Sequence, residues 1–393
     1  MSIAESIQQI MEQSSWIRKM FEEGIELKKI HGEKNVFDFS LGNPLLEPPK
    51  KFTDNLAKLT NSNIKGLHRY MPNPGFPSSR TEIAKHLSKE SGLSISMDEI
   101  IMTTGAAGGL NGILKSLLNP DDEVIVFAPF FVEYLFYISN HRGKGIIADT
   151  NEKFIPIISD LEKKITNKTK AIIINSPNNP TGVMYPESTI SSIGTLIKKM
   201  EKKYNSEIYL ISDEPYRKLI YSNEKYPFIF KHHSRSVIVT SHSKDLGLAG
   251  ERIGYISLSP LDKDRTILFD AIIFSLRTLG HVNATALMQK AVESVQNEVV
   301  DIKIYKEKRD FLYDNLTKLG YECVKPDGAF YLFPKTPIAD DTKFVSILQQ
   351  YNILTVPGKG FGKGGYFRIS YSVEDWVIEG SIKGFEEAYN TVK

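Results

Sequence analysis

Cysteine is nearly absent from this chain of 393 residues, since Cys323 is the only one. A single cysteine excludes an intramolecular disulfide framework and fits a reducing cytosol. Long apolar runs are absent as well, because none reaches the roughly 18 residues that a membrane-spanning helix needs. The N-terminal stretch has no basic segment ahead of an apolar one, so it does not resemble a secretory signal. These absences predict a soluble cytoplasmic protein without a membrane partner.

An excess of charge of either sign is also lacking. Lysine and arginine together number 49, aspartate and glutamate 47, and the formal net charge is +2. The composition therefore offers no global attraction to nucleic acid or to an anionic membrane. Nucleotide-binding glycine loops are missing too: GKGFGKGG (358–365) lacks the GxxxxGK(S/T) spacing, and no GxGxxG opens a strand–helix unit. We predict a simple turn at 358–365.

What the chain does contain is a series of short, β-branched apolar runs between residues 98 and 275. Four of them predict strands: EVIVFAP (123–129), AIIINSP (171–177), IYLISDE (208–214) and SVIVTS (236–241). Their nearly continuous apolar character is typical of strands buried on both faces of a parallel sheet. Helical patterns at 103–118 and 186–204 alternate with them. The region is therefore predicted to be an α/β sheet with right-handed crossovers.

The two ends of the chain have a different pattern. Helical spacing over 3–31 involves Ile17, Met20, Phe21, Ile25 and Leu27, before GNPLLEPP (42–49) interrupts it. Near the C-terminus, a long helical stretch (about 282–317) precedes GAFYLF (328–333), an amphipathic helix and YFRISYS (366–372). This order predicts a smaller α+β domain. The expected divisions are an N-terminal arm at 1–45, a large domain at 46–280 and a small domain at 281–393.

Chemically useful side chains follow the predicted strands. Phe131 follows the first of the four, Asn179 the second, Asp213 with Tyr216 the third, and Lys244 the fourth. Ligands of parallel sheets bind beyond the carboxyl ends of the strands, so these groups are expected to converge. TTGAAGGL (103–110) would open a helix with free backbone N–H groups, which suits a phosphate. Pyridoxal phosphate needs a lysine, a carboxylate for its ring nitrogen, an aromatic face and an anion site.

The chain resembles the pyridoxal-phosphate-dependent aminotransferases of class I/II, the aspartate-aminotransferase-like type of fold type I. Nine motifs carry the resemblance in the family's order: LGNP (41–44), YMPNPG (70–75), TTGAAGGL (103–110), APFFVEY (128–134), NSPNNPTG (175–182), SDEPY (212–216), SHSKDLGLAGERIGY (241–255), GAFYLF (328–333) and VPGKGFGKGGYFRIS (356–370). The family implies a large α/β domain with a mostly parallel seven-stranded sheet between helices. It also implies a smaller α+β domain made by the N-terminal segment and the C-terminal third.

The resemblance assigns a role to each group at the strand ends. Lys244 is the lysine that forms the Schiff base and then moves the substrate's α-proton, and Asp213 faces the ring nitrogen. Asn179 and Tyr216 donate to the phenolic oxygen, and Phe131 stacks on the ring. Each has an ordinary alternative: a surface lysine, a helix N-cap for Asp213, an Asx-turn for Asn179, and core aromatics for Tyr216 and Phe131.

The same resemblance places the phosphate and the second subunit. The implied phosphate ligands are the backbone of Gly105, Ala106 and Ala107 and the side chains of Ser241, Ser243 and Arg252, with Ser241 the better match of the two serines. Tyr70 is similar to the tyrosine that reaches the phosphate of a neighbouring subunit, which implies a homodimer. An ordinary loop tyrosine is the alternative.

Substrate recognition is implied at three positions. Arg368 would bind the α-carboxylate in a bidentate manner, with Asn179 and the backbone at Gly42 beside it. Some aspartate-specific relatives carry a lysine where this chain has Ala107, so an acidic substrate is not supported unless another subunit supplies the cation. His68, Arg69 and His242 are further candidates for shaping the pocket, although His242 is expected to pack behind the cofactor.

The predicted activity is transfer of an amino group from an amino acid to a 2-oxo acid through pyridoxamine phosphate, with no metal. A β-elimination lyase on the same scaffold is the alternative, since both reactions need Lys244 and Asp213. A cofactor-binding regulator fused to a DNA-binding module is disfavoured, because the motifs begin by residue 41 and the net charge is only +2.

Overall fold

The structure is a computed structural model that describes residues 3–5, 7–8, 11 and 24–393. Of the N-terminal helix predicted over 3–31, the described residues 5, 7–8, 11 and 24–31 are helical, and they include Ile25 and Leu27. Ile17, Met20 and Phe21 lie outside the described residues.

Twelve strands occur in the described residues. They are β1 Phe37–Asp38, β2 Ile100–Thr103, β3 Glu123–Ala128, β4 Lys144–Asp149, β5 Thr169–Asn175, β6 Tyr209–Asp213, β7 Ser236–Ser241, β8 Gly254–Leu258, β9 Tyr331–Leu332, β10 Ile353–Leu354, β11 Val356–Pro357 and β12 Phe367–Ser370.

Twelve α-helices from residue 50 onward accompany them. They are α1 Lys50–Thr60, α2 Pro77–Ser91, α3 Gly105–Leu117, α4 Glu133–Asn140, α5 Ile158–Lys164, α6 Glu187–Tyr204, α7 His242–Asp245, α8 Arg265–Thr278, α9 Ala286–Val292, α10 Ile302–Leu319, α11 Asp341–Gln350 and α12 Asp375–Val392. Short 3-10 helices lie at Glu33–Asn35, Met97–Glu99, Ile229–Lys231, Ala249–Glu251, Glu293–Val295 and Gly358–Phe361. No described helix is both long and apolar enough to cross a bilayer.

A seven-stranded sheet forms the centre of the molecule, in the order β2-β8-β7-β6-β5-β3-β4. All neighbours pair in parallel except around β8, which is antiparallel to both β2 and β7. Strands β3, β5, β6 and β7 match the four apolar runs and are almost wholly buried. The mostly parallel seven-stranded sheet that the resemblance implied is confirmed.

Helices cover both faces of this sheet. Ile193 and Ile197 of α6 belong to the apolar core on one face, together with Ile172 and Leu210. Helices α3, α4 and α8 contribute to the core on the other face. Because side chains alternate along a strand, neighbouring residues of β5 and β6 serve opposite cores. The carboxyl ends of the strands are left open between the two helical layers.

The prediction of one long helix over 282–317 is wrong. The chain forms α9, the 3-10 turn Glu293–Val295 and then, after a break, α10 from Ile302. Asp301 marks the new start, because its carboxylate accepts a hydrogen bond from the backbone N–H of Lys303. Apolar spacing continues through the break since both helices bury one face, and spacing alone does not show where backbone hydrogen bonds stop.

Two small sheets lie in the C-terminal part. β11, β12 and β9 form an antiparallel sheet, while β1 pairs in parallel with β10. The second pairing joins Phe37 and Asp38 to Ile353 and Leu354, so the segment just after the N-terminal helix packs with the C-terminal third. GKGFGKGG forms a 3-10 turn ahead of β12, as expected.

Candidate active site

A cavity of about 370 Å³ opens where the parallel strands β5, β6 and β7 end. It brings together most of the predicted site residues, although they come from distant parts of the chain. The lining residues from the prediction are Gly42, Ala106, Ala107, Phe131, Asn179, Asp213, Tyr216, Ser241, Ser243, Lys244, Arg252 and Arg368. Gly105 lies beside them at the start of α3, while Tyr70 does not line the cavity and is fully exposed.

Lys244 lies in the short helix α7, directly after β7. Its Nζ donates a hydrogen bond to the carbonyl of Gly42 at 2.7 Å and lies 5.4 Å from the centre of the Phe330 ring. Burial, together with the positive charges of Arg368 and Arg252, lowers the pKa of this amine from 10.5 to about 8. A substantial neutral fraction of Lys244 therefore exists near neutral pH, unlike that of a surface lysine.

Asp213 is the last residue of β6 and is buried. Its Oδ2 accepts a hydrogen bond from the hydroxyl of Tyr134, whereas its Oδ1 is buried with no partner among the described residues. Burial raises the Asp213 pKa from 3.8 to about 7, and the Tyr134 hydrogen bond opposes that rise. Glu214, next in sequence, faces away and lies 3.7 Å from Arg217. Asp213 is not the helix cap of the alternative interpretation, since no helix begins there.

Asn179 and Tyr216 lie on neighbouring walls. Asn179 Oδ1 accepts a hydrogen bond from Arg368 Nη1 at 3.1 Å, which leaves its NH₂ group as a donor. The Asn179 backbone N–H donates to the Asn175 side chain at 2.7 Å, and Asn175 in turn donates to the carbonyl of Asp213. This network ties the loop after β5 to the end of β6. The hydroxyl of Tyr216 lies 2.8 Å from that of Tyr331.

An anion-binding arrangement occupies one end of the cavity. Helix α3 begins at Gly105, where φ is +72°. Because the first N–H groups of a helix have no helical partners, they are available to an anion here. The positive φ favours glycine at 105, and a Cβ there would lie 2.9 Å from Arg252 Nη2 and push this cation aside. Ser241 and Ser243 line the same cavity, and neither Oγ caps a helix.

Arg368 occupies another wall, from strand β12. Its Nη2 donates to the carbonyl of Ser40 at 2.6 Å, while its Nε is buried and has no partner among the described residues. The guanidinium lies 4.9 Å from the centres of the Tyr331 and Phe361 rings, which hold its plane. A planar, fixed and incompletely paired guanidinium is suited to a carboxylate ligand.

Comparison with known proteins identifies the family. A family model described as "Aminotransferase class I and II" matches residues 34–380. An aspartate aminotransferase of Thermotoga maritima is 31% identical over 91% of this chain and 92% of its own length, and an aspartate/prephenate aminotransferase of Thermus thermophilus is 30% identical over 82% and 83%. The crystal structure of an amino transferase from Eubacterium rectale covers 100% of both chains, with 37% identity and a TM-score of 0.97.

This chain belongs to the class I and II aminotransferases. It is accordingly a transaminase that uses pyridoxal 5′-phosphate and acts on amino acids and 2-oxo acids. The resemblance on which the sequence-based prediction rested is therefore confirmed, as are its fold and its cofactor.

The aminotransferase cavity fits this cofactor by its own chemistry. The unpaired Oδ1 of Asp213 is an acceptor for the N–H of a protonated pyridine ring, and burial would strengthen that charge pair. Lys244 offers a partly neutral amine, and the start of α3 with Arg252 offers donors and positive charge for a phosphate. An aldehyde, a ring nitrogen and a phosphate each have a matching group in one cavity.

Several residues in or beside the aminotransferase cavity escaped the sequence-based prediction. Tyr134 contacts Asp213, Tyr331 contacts Tyr216, and Asn175, Glu133 and Tyr137 line the cavity. Glu133 and Tyr134 stand in the APFFVEY motif and Tyr331 in GAFYLF, so the signal was present. Only Phe131 was predicted from APFFVEY. Which other residues of such a motif face the cavity depends on the helix or strand that follows it.

The histidine and arginine candidates lie outside the cavity. Nδ1 of His242 is 3.2 Å from an oxygen of Asp245, and the ring lies 5.9 Å from that of Tyr255. The residue is buried and does not line the cavity, so it packs behind it, as the simpler interpretation held. His68 and Arg69 are exposed and do not line the cavity either.

Proposed function

We propose that this protein transfers the amino group of an L-amino acid to a 2-oxo acid with Lys244 as the residue that binds the cofactor aldehyde and moves the proton. The observation that carries the proposal is the meeting of a partly neutral lysine and a buried, half-paired aspartate in one cavity. Both groups are expensive to bury unpaired, and both match pyridoxal phosphate.

When bound, the cofactor supplies an acceptor for the amino group and an electron sink for the pair left by the departing α-proton. Nζ of Lys244 would bind the aldehyde carbon in the resting enzyme. Once the substrate amine has displaced it, the free Nζ would remove the α-proton as a general base. The lowered pKa of Lys244 suits this step, because the amine has to be neutral to accept a proton.

Asp213 and its partners would orient the ring. The carboxylate of Asp213 would hold a proton on the ring nitrogen through Oδ1, while the Tyr134 hydroxyl fixes its other oxygen. The NH₂ group of Asn179 and the hydroxyl of Tyr216 would donate to the phenolic oxygen, and Phe131 would cover the ring. The phosphate would lie at Gly105, Ala106 and Ala107 with Ser241, Ser243 and Arg252.

Arg368 would position the substrate by its α-carboxylate. Nη1 donates to Asn179 and Nη2 to the Ser40 carbonyl, and each of these nitrogens keeps a second N–H as a further donor. The Gly42 carbonyl, which accepts from Lys244 here, faces the same space. A Cβ at Gly42 would lie 2.1 Å from the Tyr331 hydroxyl, so glycine is needed for this approach.

A half-reaction without any acceptor tests the proposal. The yellow holoenzyme mixed with an amino-acid donor alone is expected to convert in a single turnover to the amine form of the cofactor and release one equivalent of 2-oxo acid. Repeated turnover should appear only when a 2-oxo acid is added. Continuous release of pyruvate and ammonia from a cysteine conjugate without an acceptor would contradict the proposal and point to a lyase.

We also propose a homodimer in which Tyr70 completes the neighbouring subunit's site. The support is that Tyr70 is fully exposed on a single chain although it stands in a motif of the family. Mixed dimers of Lys244→Ala and Tyr70→Ala chains test this directly. After subunit exchange, about a quarter of all sites would contain both native residues if Tyr70 acts across the interface.

The control for this experiment is the activity of the two parent variants, mixed without exchange. Activity of the exchanged mixture that stays at the average of the parents would contradict a Tyr70 contribution across the interface. A cytoplasmic location, like the division into three domains, stays a prediction from the sequence.

A further inference from the structure

Glu133 is a charged cavity residue that neither the cofactor nor the reaction uses. It is the first residue of α4, two positions after Phe131, and it lines the cavity. Its Oε2 is buried and has no hydrogen-bond partner among the described residues. A buried carboxylate oxygen without a partner is costly, so its presence beside a substrate site calls for a ligand group.

Among the described residues, Glu133 is the one charged lining residue without a partner once the proposed roles are assigned to the others. Its charged lining residues are three cations, Lys244, Arg252 and Arg368, and two anions, Asp213 and Glu133. Under the proposed function, Asp213 pairs with the ring nitrogen, Arg252 with the phosphate and Arg368 with the substrate α-carboxylate. Lys244 is neutral when it acts as a base. Glu133 then faces the cavity with no cation of this chain assigned to it.

Glu133 lines the same cavity as Arg368 and Tyr331. Its negative charge is attracted by Arg368, and it adds to the rise that burial causes in the pKa values of Tyr331 and Tyr137. Burial raises the pKa of Glu133, and a hydrogen bond from its own backbone N–H, together with the positive charge of Arg368, opposes that rise. A cation brought beside Glu133 by the substrate would favour the ionised form, whereas a second carboxylate would meet a like charge there.

We propose that Glu133 selects amino donors whose side chain ends in a cation, such as diamino acids, and rejects dicarboxylic donors. The inference rests on the proposed function for the placement of the α-carboxylate on Arg368. It agrees with Ala107, which stands where some aspartate-specific relatives carry a lysine. The predicted discrimination is at least about tenfold, because a polar site loses one buried ion pair with the wrong side chain.

Binding of unreactive analogues tests the selection without any turnover. The probes are 6-aminohexanoate, hexanoate and glutarate, which are lysine, norleucine and glutamate without their α-amino groups. Calorimetry on the holoenzyme is expected to give a Kd for 6-aminohexanoate at least about tenfold below that for hexanoate, with glutarate the weakest. Glu133→Gln should remove this order, whereas Glu152→Gln, at an exposed position, should keep it.

The half-reaction separates this inference from the proposed function. In the wild-type enzyme the single-turnover kcat/KM for lysine is expected to exceed that for norleucine and for glutamate, and Glu133→Gln should lower the lysine-to-norleucine ratio at least about tenfold. Tighter binding of glutarate than of 6-aminohexanoate would overturn the inference, and so would an unchanged lysine-to-norleucine ratio of kcat/KM in Glu133→Gln. Neither result would affect the proposed transaminase activity. The predicted binding order without conversion of any donor would instead overturn the proposed function.

Discussion

Replacing Lys244 with methionine is expected to lower kcat by about 10⁴-fold or more, because both the covalent attachment point and the general base are lost. Methionine fills a similar volume, so the cavity walls should stay in place. The measurement is the single-turnover rate of the amino-acid half-reaction at saturating cofactor. Lys263→Met, at a side chain that is 74% exposed, is the matched control and should keep the wild-type rate.

The same Lys244→Met substitution is expected to stabilise the cofactor-free protein. The displacement of the Lys244 pKa from 10.5 to about 8 corresponds to about 3 kcal/mol at pH 7, because the folded state disfavours the buried cation. Between pH 8 and 10.5 the unfolded chain binds this proton and the folded chain does not, so wild-type stability rises with pH through that window. The advantage of the variant should therefore shrink from pH 8 to 10.5 in denaturant unfolding.

A variant no more stable than the wild type at pH 7, or with the same pH dependence, would contradict the placement of Lys244 in a largely buried, positively charged site. Lys263→Met again provides the comparison. A variant that loses activity and gains stability is expected where a residue serves catalysis but lowers the free energy of unfolding.

Asp213→Asn is expected to lower kcat at least about 100-fold, because an amide of the same shape cannot supply the negative charge that holds a proton on the ring nitrogen. The Oδ1 position, which has no protein partner among the described residues, loses its charge while Tyr134 keeps a neighbour of the same size. Cofactor affinity, measured by equilibrium dialysis of pyridoxal 5′-phosphate, should fall as well.

Glu214→Gln is the sharpest control for Asp213→Asn. The two carboxylates are adjacent in sequence and both buried, but Glu214 pairs with Arg217 and does not line the cavity. Its kcat should stay within about threefold of the wild type even if the melting temperature falls. Equal losses of kcat in the two variants would mean that burial rather than contact with the cofactor sets the effect.

The sequence predicted the strands whose two faces are both buried, and it missed those with weaker patterns. β3, β5, β6 and β7 are apolar along their whole length. β4 is an edge strand, KGIIAD, with a mostly solvent-facing surface, and it has no such run. β8 is antiparallel and follows the segment that contains Lys244. Its place in the sheet depends on pairing with β2, which is far away in sequence.

Site residues at fixed positions in a motif could be predicted from the sequence, whereas those brought in by long-range packing could not. Lys244, Asp213 and Arg368 stand at fixed places in ordered motifs, and the cavity contains all three. The Tyr134 hydroxyl reaches Asp213 from 79 residues away, and Tyr331 reaches Tyr216 from 115. Pairings of that separation depend on how the helices and strands pack, which residue spacing does not encode.

The most direct test of the account is to locate the covalent link to the cofactor. The purified holoenzyme is reduced with borohydride, digested and analysed by mass spectrometry for a pyridoxyl group. We predict a single modified lysine, Lys244, in the peptide that follows β7, and no modified peptide from Lys244→Met. A pyridoxyl group on another lysine, or full labelling that survives in Lys244→Met, would contradict the assignment of this site.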